Sequence, residues 1–472
     1  MKNARITMCQ TIRRRPCWWW AFALLFIPLA AICAAEWAVA EQPAAETPAE
    51  RGYRLLTTKA YLPPDFDQEV FDTLWQTWEE PLRSQAEAAT VEERRKMAFS
   101  RYGLTEAPGR KGPVALQYVD NGQGGWVMNC LACHGGKVAG QVIPGSPNSL
   151  YALQTLTEEV MTTKVRLKKP LARMEAGSLF MPLGGSNGTT NAVNFGVALM
   201  AHRDAELNVH RNLSRPKMLH HDHDAPPWWN VRKKQWLYAD GFAGHGHRAL
   251  MQFLLIPQNG PDKFREWEPD FQDLLAWIES LEPPKYPWPI EEPLAVTGQQ
   301  IFSRNCARCH GSYGPNGEYP NKNVPIDEIA TDRARLDSLS AEHRAGYESS
   351  WFSYFGEQKS IHDPRGYVAP PLDGIWASAP YLHNGSVPTL WHLLHPDERP
   401  ALWLRTEDGY NQEQVGLEIS EFENYPRAAY MAKERRRYFD TRLFGKSATG
   451  HDFPNVLSEE EKRAVLEYLK TL

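Results

Sequence analysis

The stretch "NCLACHGG" at residues 129–136 returns as "NCARCHGS" at residues 305–312. Each is Cys-x-x-Cys followed directly by histidine, and three chemistries use paired cysteines at this spacing. A zinc site of four thiolates needs no histidine at that one place twice, and it would have to join half-sites from opposite halves of the chain. A thiol redox pair belongs in a strand-helix α/β context, which is missing here. Covalent haem attachment needs all three residues: two thioethers to the vinyl groups, and an imidazole on the iron. The repeat therefore predicts two c-type haems, attached through Cys130 and Cys133 and through Cys306 and Cys309, with His134 and His310 as iron ligands.

The remaining cysteines sharpen this reading. The 472-residue chain has seven, and Cys9, Cys17 and Cys33 fall within the first 40 residues. That stretch has the form of an export signal: Lys2, Arg5 and Arg13–Arg15, then an almost wholly apolar run from Cys17 to Ala35, then Ala38-Val39-Ala40. Pro28 and the Ala-x-Ala end favour cleavage over a retained anchor, so residues 1–40 are expected to be removed and no stable membrane span to remain. Every thiol left then lies inside a haem motif, although the periplasmic or secreted setting would permit disulfides. The segment carries five basic residues and one acid, so its loss takes the formal charge from −5 to about −9. No long basic run follows, which excludes nucleic acid as a partner. An acidic protein of this kind suits a basic redox partner, as electron donor or acceptor.

The chain also repeats itself in outline. "APPWWNVRKKQWLYADG" (225–241) aligns without a gap on "APPLDGIWASAPYLHNG" (369–385), so that Val231 faces Ile375 and Gly241 faces Gly385. A leucine-rich helix is predicted after each copy. Each half closes on an amphipathic helix, at 270–281 and at 458–472, the latter with a Ser458/Glu461 capping box. A proline-rich linker, "EPPKYPWPIEEP" (282–293), separates the halves. With little β-type alternation, the expected fold is mainly α: two cytochrome c-like domains, 41–285 and 286–472, each with one covalent haem and related by internal duplication.

The second axial ligand decides whether each haem moves electrons or does chemistry. In the second domain, the loop before the last helix holds His451, ahead of Met431, His362, His383, His392 and His395 as candidates. The matching stretch of the first domain, "IPQNGPDKFREWEP" (256–269), has neither histidine nor methionine. Other histidines there are His202, His210, His245, His247 and the "HHDH" group (His220, His221, His223), read as solvated loop. Haem 1 is thus expected to be open or weakly ligated and reactive, and haem 2 to be the relay.

The segment "APPLDGIWASAPYLHNGSVPTLWHLL" (369–394) resembles the Ala-Pro-Tyr-x-His-x-Gly region of bacterial dihaem cytochrome c peroxidases and the related MauG enzymes. It is more similar to the rubber oxygenase (RoxA-like) branch, which shares Leu-x-Gly-Ile-Trp-Ala-x-Ala-Pro-Tyr-Leu-His-Asn-Gly-Ser-Val-Pro. The Gly450-His451 pair and the terminal "EYLKTL" fit the same branch. The likeness runs over about 295–472 and is looser before that. It implies proximal ligands His134 and His310, with His451 completing a bis-histidine haem 2. It also implies an aromatic-lined pocket at haem 1 facing dioxygen or peroxide, with Trp228, Trp229 and Phe242 as candidates. The peroxidases place a histidine soon after their first motif, whereas none occurs here between His134 and His202. Their interdomain calcium maps onto Ser378 and Pro380 of Ser-Ala-Pro. The expected function is an exported dihaem oxidoreductase, with an electron-transfer cytochrome lacking its own catalysis as the alternative. Likeness of fold does not carry the substrate over.

Overall fold

Thr47 opens the first helix, Pro48–Thr58: its hydroxyl accepts from the Glu50 amide while the Glu50 carboxylate returns to the Thr47 amide, and proline fills the first turn. The protein is described by a computed structural model over residues 45–109, 112–210, 219–361 and 363–472. The expected export signal, with its three cysteines, and His362 lie outside the described residues.

Helix Pro48–Thr58 crosses the long helix Pro261–Ser280, and the crossing is set by Gly52. A Cβ there would stand 2.0 Å from the Asp273 carbonyl oxygen, so only glycine lets the two backbones approach. The second half repeats the arrangement. Helix Glu292–Asn305 crosses Glu459–Leu469 at Gly298, where a Cβ would stand 1.8 Å from the Ala464 carbonyl oxygen. The Ser458/Glu461 capping box predicted for the last helix is present.

The gapless sequence repeat is also a backbone repeat. Leu237 pairs with Ala243 in the first copy, and Tyr381 pairs with Val387 at the equivalent places in the second. Tyr238 and Leu382 both take left-handed φ, 65° and 63°, and Gly241 and Gly385 follow at 68° and 72°. The leucine-rich helices after each copy are short, Arg248–Met251 with a 3-10 turn and Leu390–Leu394. The linker is irregular from 281 to 291 and lies along the second half, where the Pro284 carbonyl accepts from Trp376 Nε1 at 2.7 Å.

The fold is mainly helical, but besides two-stranded pairings it holds two three-stranded sheets that the alternation did not announce. Phe66–Asp67, Gly125–Met128 and Tyr118–Asp120 form one antiparallel sheet, ordered with 125–128 in the centre. Leu402–Asn411 lies between Gly416–Glu421 and Tyr438–Asp440 in the other. Leu402 and Trp403 are adjacent yet both buried, the 402–411 strand is bulged, and one side of the hairpin is largely exposed. A period of two therefore never develops. The closing helix of the first half also begins earlier than expected, at Pro261 rather than 270, and runs through Pro269.

Residues 46–472 form one compact unit, tied across the repeat by buried charge. Lys446 Nζ meets Asp222 Oδ2 at 2.6 Å, both side chains being inaccessible. Burial alone would push the Asp222 carboxyl up, but Lys446 outweighs it and holds the group at about 2. An aspartate is ordinarily near 3.9, so this contribution is complete at neutral pH and is lost as pH falls through about 2. Lys446→Met leaves the carboxylate buried without its cation. The expected cost is about 3–5 kcal/mol at pH 7, read by denaturant unfolding; a loss below about 1 kcal/mol would show the pair to be structurally idle. Among the described residues, no helix is long and apolar enough to cross a membrane.

Candidate haem sites

Each Cys-x-x-Cys-His stretch is a single helical turn with the histidine at its end. At the first, the Asn129 side chain accepts from the Leu131 amide, and the His134 amide bonds the Cys130 carbonyl. At the second, helix Glu292–Asn305 runs straight in, with the Cys306 amide on the Phe302 carbonyl and the His310 amide on the Cys306 carbonyl. The cysteines form no disulfide. Cys130 packs with the Trp228–Trp277 core and Cys306 with the Trp376–Tyr468 core, so the four thiols are not gathered around one ion. Burial raises the Cys130, Cys133 and Cys306 thiols to about 11, 12 and 11.

The two histidines are held in the same way. His134 Nδ1 lies 3.1 Å from the Pro226 carbonyl, and His310 Nδ1 lies 2.9 Å from the Pro370 carbonyl. A carbonyl only accepts, so each Nδ1 carries the proton and each Nε2 keeps its lone pair for a metal. Pro226 and Pro370 are the same residue of the two Ala-Pro-Pro copies. The sequence repeat thus supplies the oriented acceptor behind each of these histidines, a role that sequence reasoning missed although the repeat itself was plain. Burial lowers His134 to about 4, keeping the imidazole neutral. Its ring is stacked on Trp228 at 4.2 Å.

Opposite His310 stands His451, with ring centroids 6.1 Å apart. That spacing admits one ion between two imidazoles bonding at about 2 Å each. His451 is placed by its amide bond to the Ile329 carbonyl at 2.6 Å and a left-handed φ of 55°. Its Nδ1 is buried without a partner, and burial pushes the ring down to about 3. The other candidates lie elsewhere. His392 bonds Thr389, His395 is held by the Trp391 carbonyl and Glu459, His383 stacks on Tyr367, and Met431 is exposed. These residues fit a haem with two histidine ligands.

Around His134 no histidine takes the corresponding place among the described residues. His210 pairs with Asp204, His245 with Glu279 and His247 with Glu268, while His220 meets the Pro182 carbonyl. His202 sits in the turn after the apolar helix Ala192–Met200. Leu199 and Met200 of that helix join the core that takes in Cys130, beside Tyr61 and Tyr238. The "HHDH" group is only partly solvated: His221 and Asp222 are buried, drawn in by Asn194 and Lys446, while His220 and His223 are half-buried.

The three pocket candidates separate. Trp228 contacts His134; Phe242 lies against Tyr238 and Tyr347; Trp229 turns to the second core, donating from Nε1 to the Asp373 carbonyl at 2.7 Å. Asn230 beside it donates to the Pro371 carbonyl at 3.0 Å. The two Ala-Pro-Pro loops are therefore bonded directly to one another. Ser378 donates to the Gly374 carbonyl, and Pro380 lies near Gly385. Among the described residues, no group of three or more His, Cys, Asp or Glu side chains is placed to hold a metal ion.

Residues 366–404 match a family model described as RoxA-like, cytochrome c-like. The matched segment contains Pro370 and the whole second Ala-Pro-Pro copy, and it implies a c-type haem. Two curated proteins of Sinorhizobium fredii (strain NBRC 101917 / NGR234) are similar to this chain. The uncharacterized protein y4iM is 30% identical over 234 residues, 41% of this chain and 52% of that protein. The uncharacterized protein y4iJ is 31% identical over 260 residues, 41% of each. The chain thus spans about half the length of the curated relatives it matches.

Proposed function

We propose that this chain is an exported c-type cytochrome oxidoreductase carrying two covalent haems, of which haem 1 activates dioxygen or peroxide and haem 2 relays electrons. The observation that carries the reading is an asymmetry between two otherwise matched sites. Both histidines are oriented by the first proline carbonyl of an Ala-Pro-Pro loop, yet among the described residues only His310 has a second histidine across from it. Bound haem supplies one-electron chemistry and, where a position on iron is open, a place for a small oxidant.

The chain's own groups divide the labour. Cys130 and Cys133, and Cys306 and Cys309, anchor; the Pro226 and Pro370 carbonyls fix the imidazole tautomers; His451 closes the second site. Leu199, Met200 and the aromatic core beside Cys130 keep bulk water from the first. Trp229 and Asn230 join the two proximal loops by hydrogen bonds, a short route for electrons between halves. The fold is read as two cytochrome c-like domains produced by duplication, with the boundary near 285. Ser378 and Pro380 are retained as a calcium position through their carbonyls, and a basic redox protein as the electron partner.

The test is an optical titration of the purified protein, with cyanide on the oxidised form and carbon monoxide on the reduced form. About one ligand per two haems is expected, and His134→Ala should lose that binding while the haem 2 spectrum persists. If neither ligand binds, both irons are closed by protein groups and the direct bridge between loops serves an electron-transfer cytochrome instead. A colourless band on haem staining after denaturing electrophoresis would end the haem reading altogether.

A further inference from the structure

A second group of buried polar side chains gathers around Asp240 and His223, and neither haem motif uses it. Asp240, from the first half, is fully buried and bonded by two guanidiniums of the second: Arg335 Nη2 at 3.1 Å and Arg344 Nη2 at 2.6 Å. Arg335 is 1% exposed, yet its Nη1 has no partner, and neither does Arg344 Nε. His223 sits with its ring 4.5 Å from His221 and 5.9 Å from His383, and its Nε2 is likewise buried without a partner. The Tyr347 hydroxyl, from the same helix as Arg344, is a fourth buried group with nothing to bond.

Among the described residues, Arg335, Arg344 and Lys446 are three buried cations bonded to two carboxylates, Asp240 and Asp222. Asp224, next to His223, is driven by burial well above the usual carboxylate range, and its Oδ1 is buried without a partner. His221, His223 and His383 are pushed down by burial and stay neutral. Two buried guanidiniums that each keep an N–H without an acceptor call for an anion rather than a metal ion. Guanidinium and imidazole N–H groups are matched to a carboxylate.

We propose that this enclosure binds a carboxylate, and that the carboxylate is a propionate of the haem attached at Cys130 and Cys133, with Arg335 Nη1 and His223 Nε2 as its donors. The inference rests on the haem reading above. The assignment to haem 1 comes from the neighbours. Arg335 lies over the rings of Tyr238 and Phe242, at 6.0 and 5.8 Å. Tyr238 is within electrostatic reach of Cys130, and Asp224 within reach of Cys133. His223 is three residues from the Pro226 carbonyl that orients His134. A free small carboxylate would satisfy the same donors, so the test must separate the two sources.

The experiment is a spectroelectrochemical redox titration of the purified holoprotein, taking haem 1 as the centre whose spectrum responds to cyanide. A fixed positive charge near the macrocycle favours the reduced iron, and a propionate stripped of its donors favours the oxidised iron. Arg335→Gln should therefore lower the midpoint potential of haem 1 and leave that of haem 2 in place. His223→Ala should lower it in the same direction by less; this variant leaves the Asp240 ion cluster intact and serves if Arg335→Gln fails to fold. Wild-type potentials in a folded, haem-loaded His223→Ala or Arg335→Gln protein would overturn the proposal. Acetate added to wild type should change neither potential nor melting temperature. If acetate stabilises wild type and His223→Ala abolishes the effect, the site takes a mobile carboxylate and the propionate assignment falls. Absence of covalent haem on staining would instead strike the underlying haem reading.

Discussion

His451→Ala is expected to leave both haems attached and to convert one of them from low-spin to high-spin. The thioethers to Cys306 and Cys309 are untouched by the change, and His310 keeps its Nδ1 bond to the Pro370 carbonyl, so attachment and the proximal side survive. What disappears is the imidazole 6.1 Å from His310. Among the described residues no other candidate stands there: Phe453 is the aromatic neighbour of His451, His392 is bonded to Thr389, His395 to the Trp391 carbonyl and Glu459, and Met431 is exposed. Two strong axial ligands give a low-spin iron, and one leaves an open position. The visible and electron paramagnetic resonance spectra should therefore change for about half of the haem, with cyanide uptake rising from about one to about two per chain. A variant spectrum identical to wild type would mean that another residue closes haem 2, and the asymmetry on which the proposed division of labour rests would be lost.

The parts of this site that were legible in the sequence are those written in consecutive residues. Cys-x-x-Cys-His puts two thiols and an imidazole on one helical turn, and Ser458/Glu461 announces the last helix by local bonding alone. That His451 stands near His310 was suggested by its place in the loop ahead of the last helix, and their ring centroids lie 6.1 Å apart. The carbonyls of Pro226 and Pro370 were not legible, because a backbone oxygen carries no side-chain signature. Only the matched placement of Ala-Pro-Pro behind two different motifs could have pointed to them. The burial within "HHDH" was hidden for another reason. A run of polar residues before Pro-Pro looks solvated until Asn194 and Lys446 arrive from distant parts of the chain. Trp228 and Trp229 were indistinguishable as neighbours in sequence. They point into different cores because successive residues on a 3-10 turn face different sides. The 402–440 sheet escaped because burial along it follows packing against the second core rather than a period of two.

The largest loss of stability is expected from Asp240→Ala. Asp240 is inaccessible, and it is the shared partner of Arg335 and Arg344, which are also inaccessible. Burial by itself would raise its carboxyl, but the two guanidiniums outweigh that and hold it below the usual range. A group depressed in this way adds stability above its unfolded pKa of about 3.9 and loses it as pH falls through the lower folded value. At pH 7 the contribution is whole. Removing the carboxylate leaves two buried cations facing each other, whereas removing one member of a simple buried pair already costs about 3–5 kcal/mol. Total stabilities are about 5–15 kcal/mol, so the variant should be largely unfolded under mild denaturant. Asp240→Asn, which keeps the shape and one acceptor oxygen, should fall between the two. Because the arginines come from the second half and Asp240 from the first, both haem spectra should be lost in a single transition. Denaturant unfolding followed at both haems and by circular dichroism decides the matter. A cost under about 1 kcal/mol, or two separate transitions in wild type, would show that the cluster does not couple the halves.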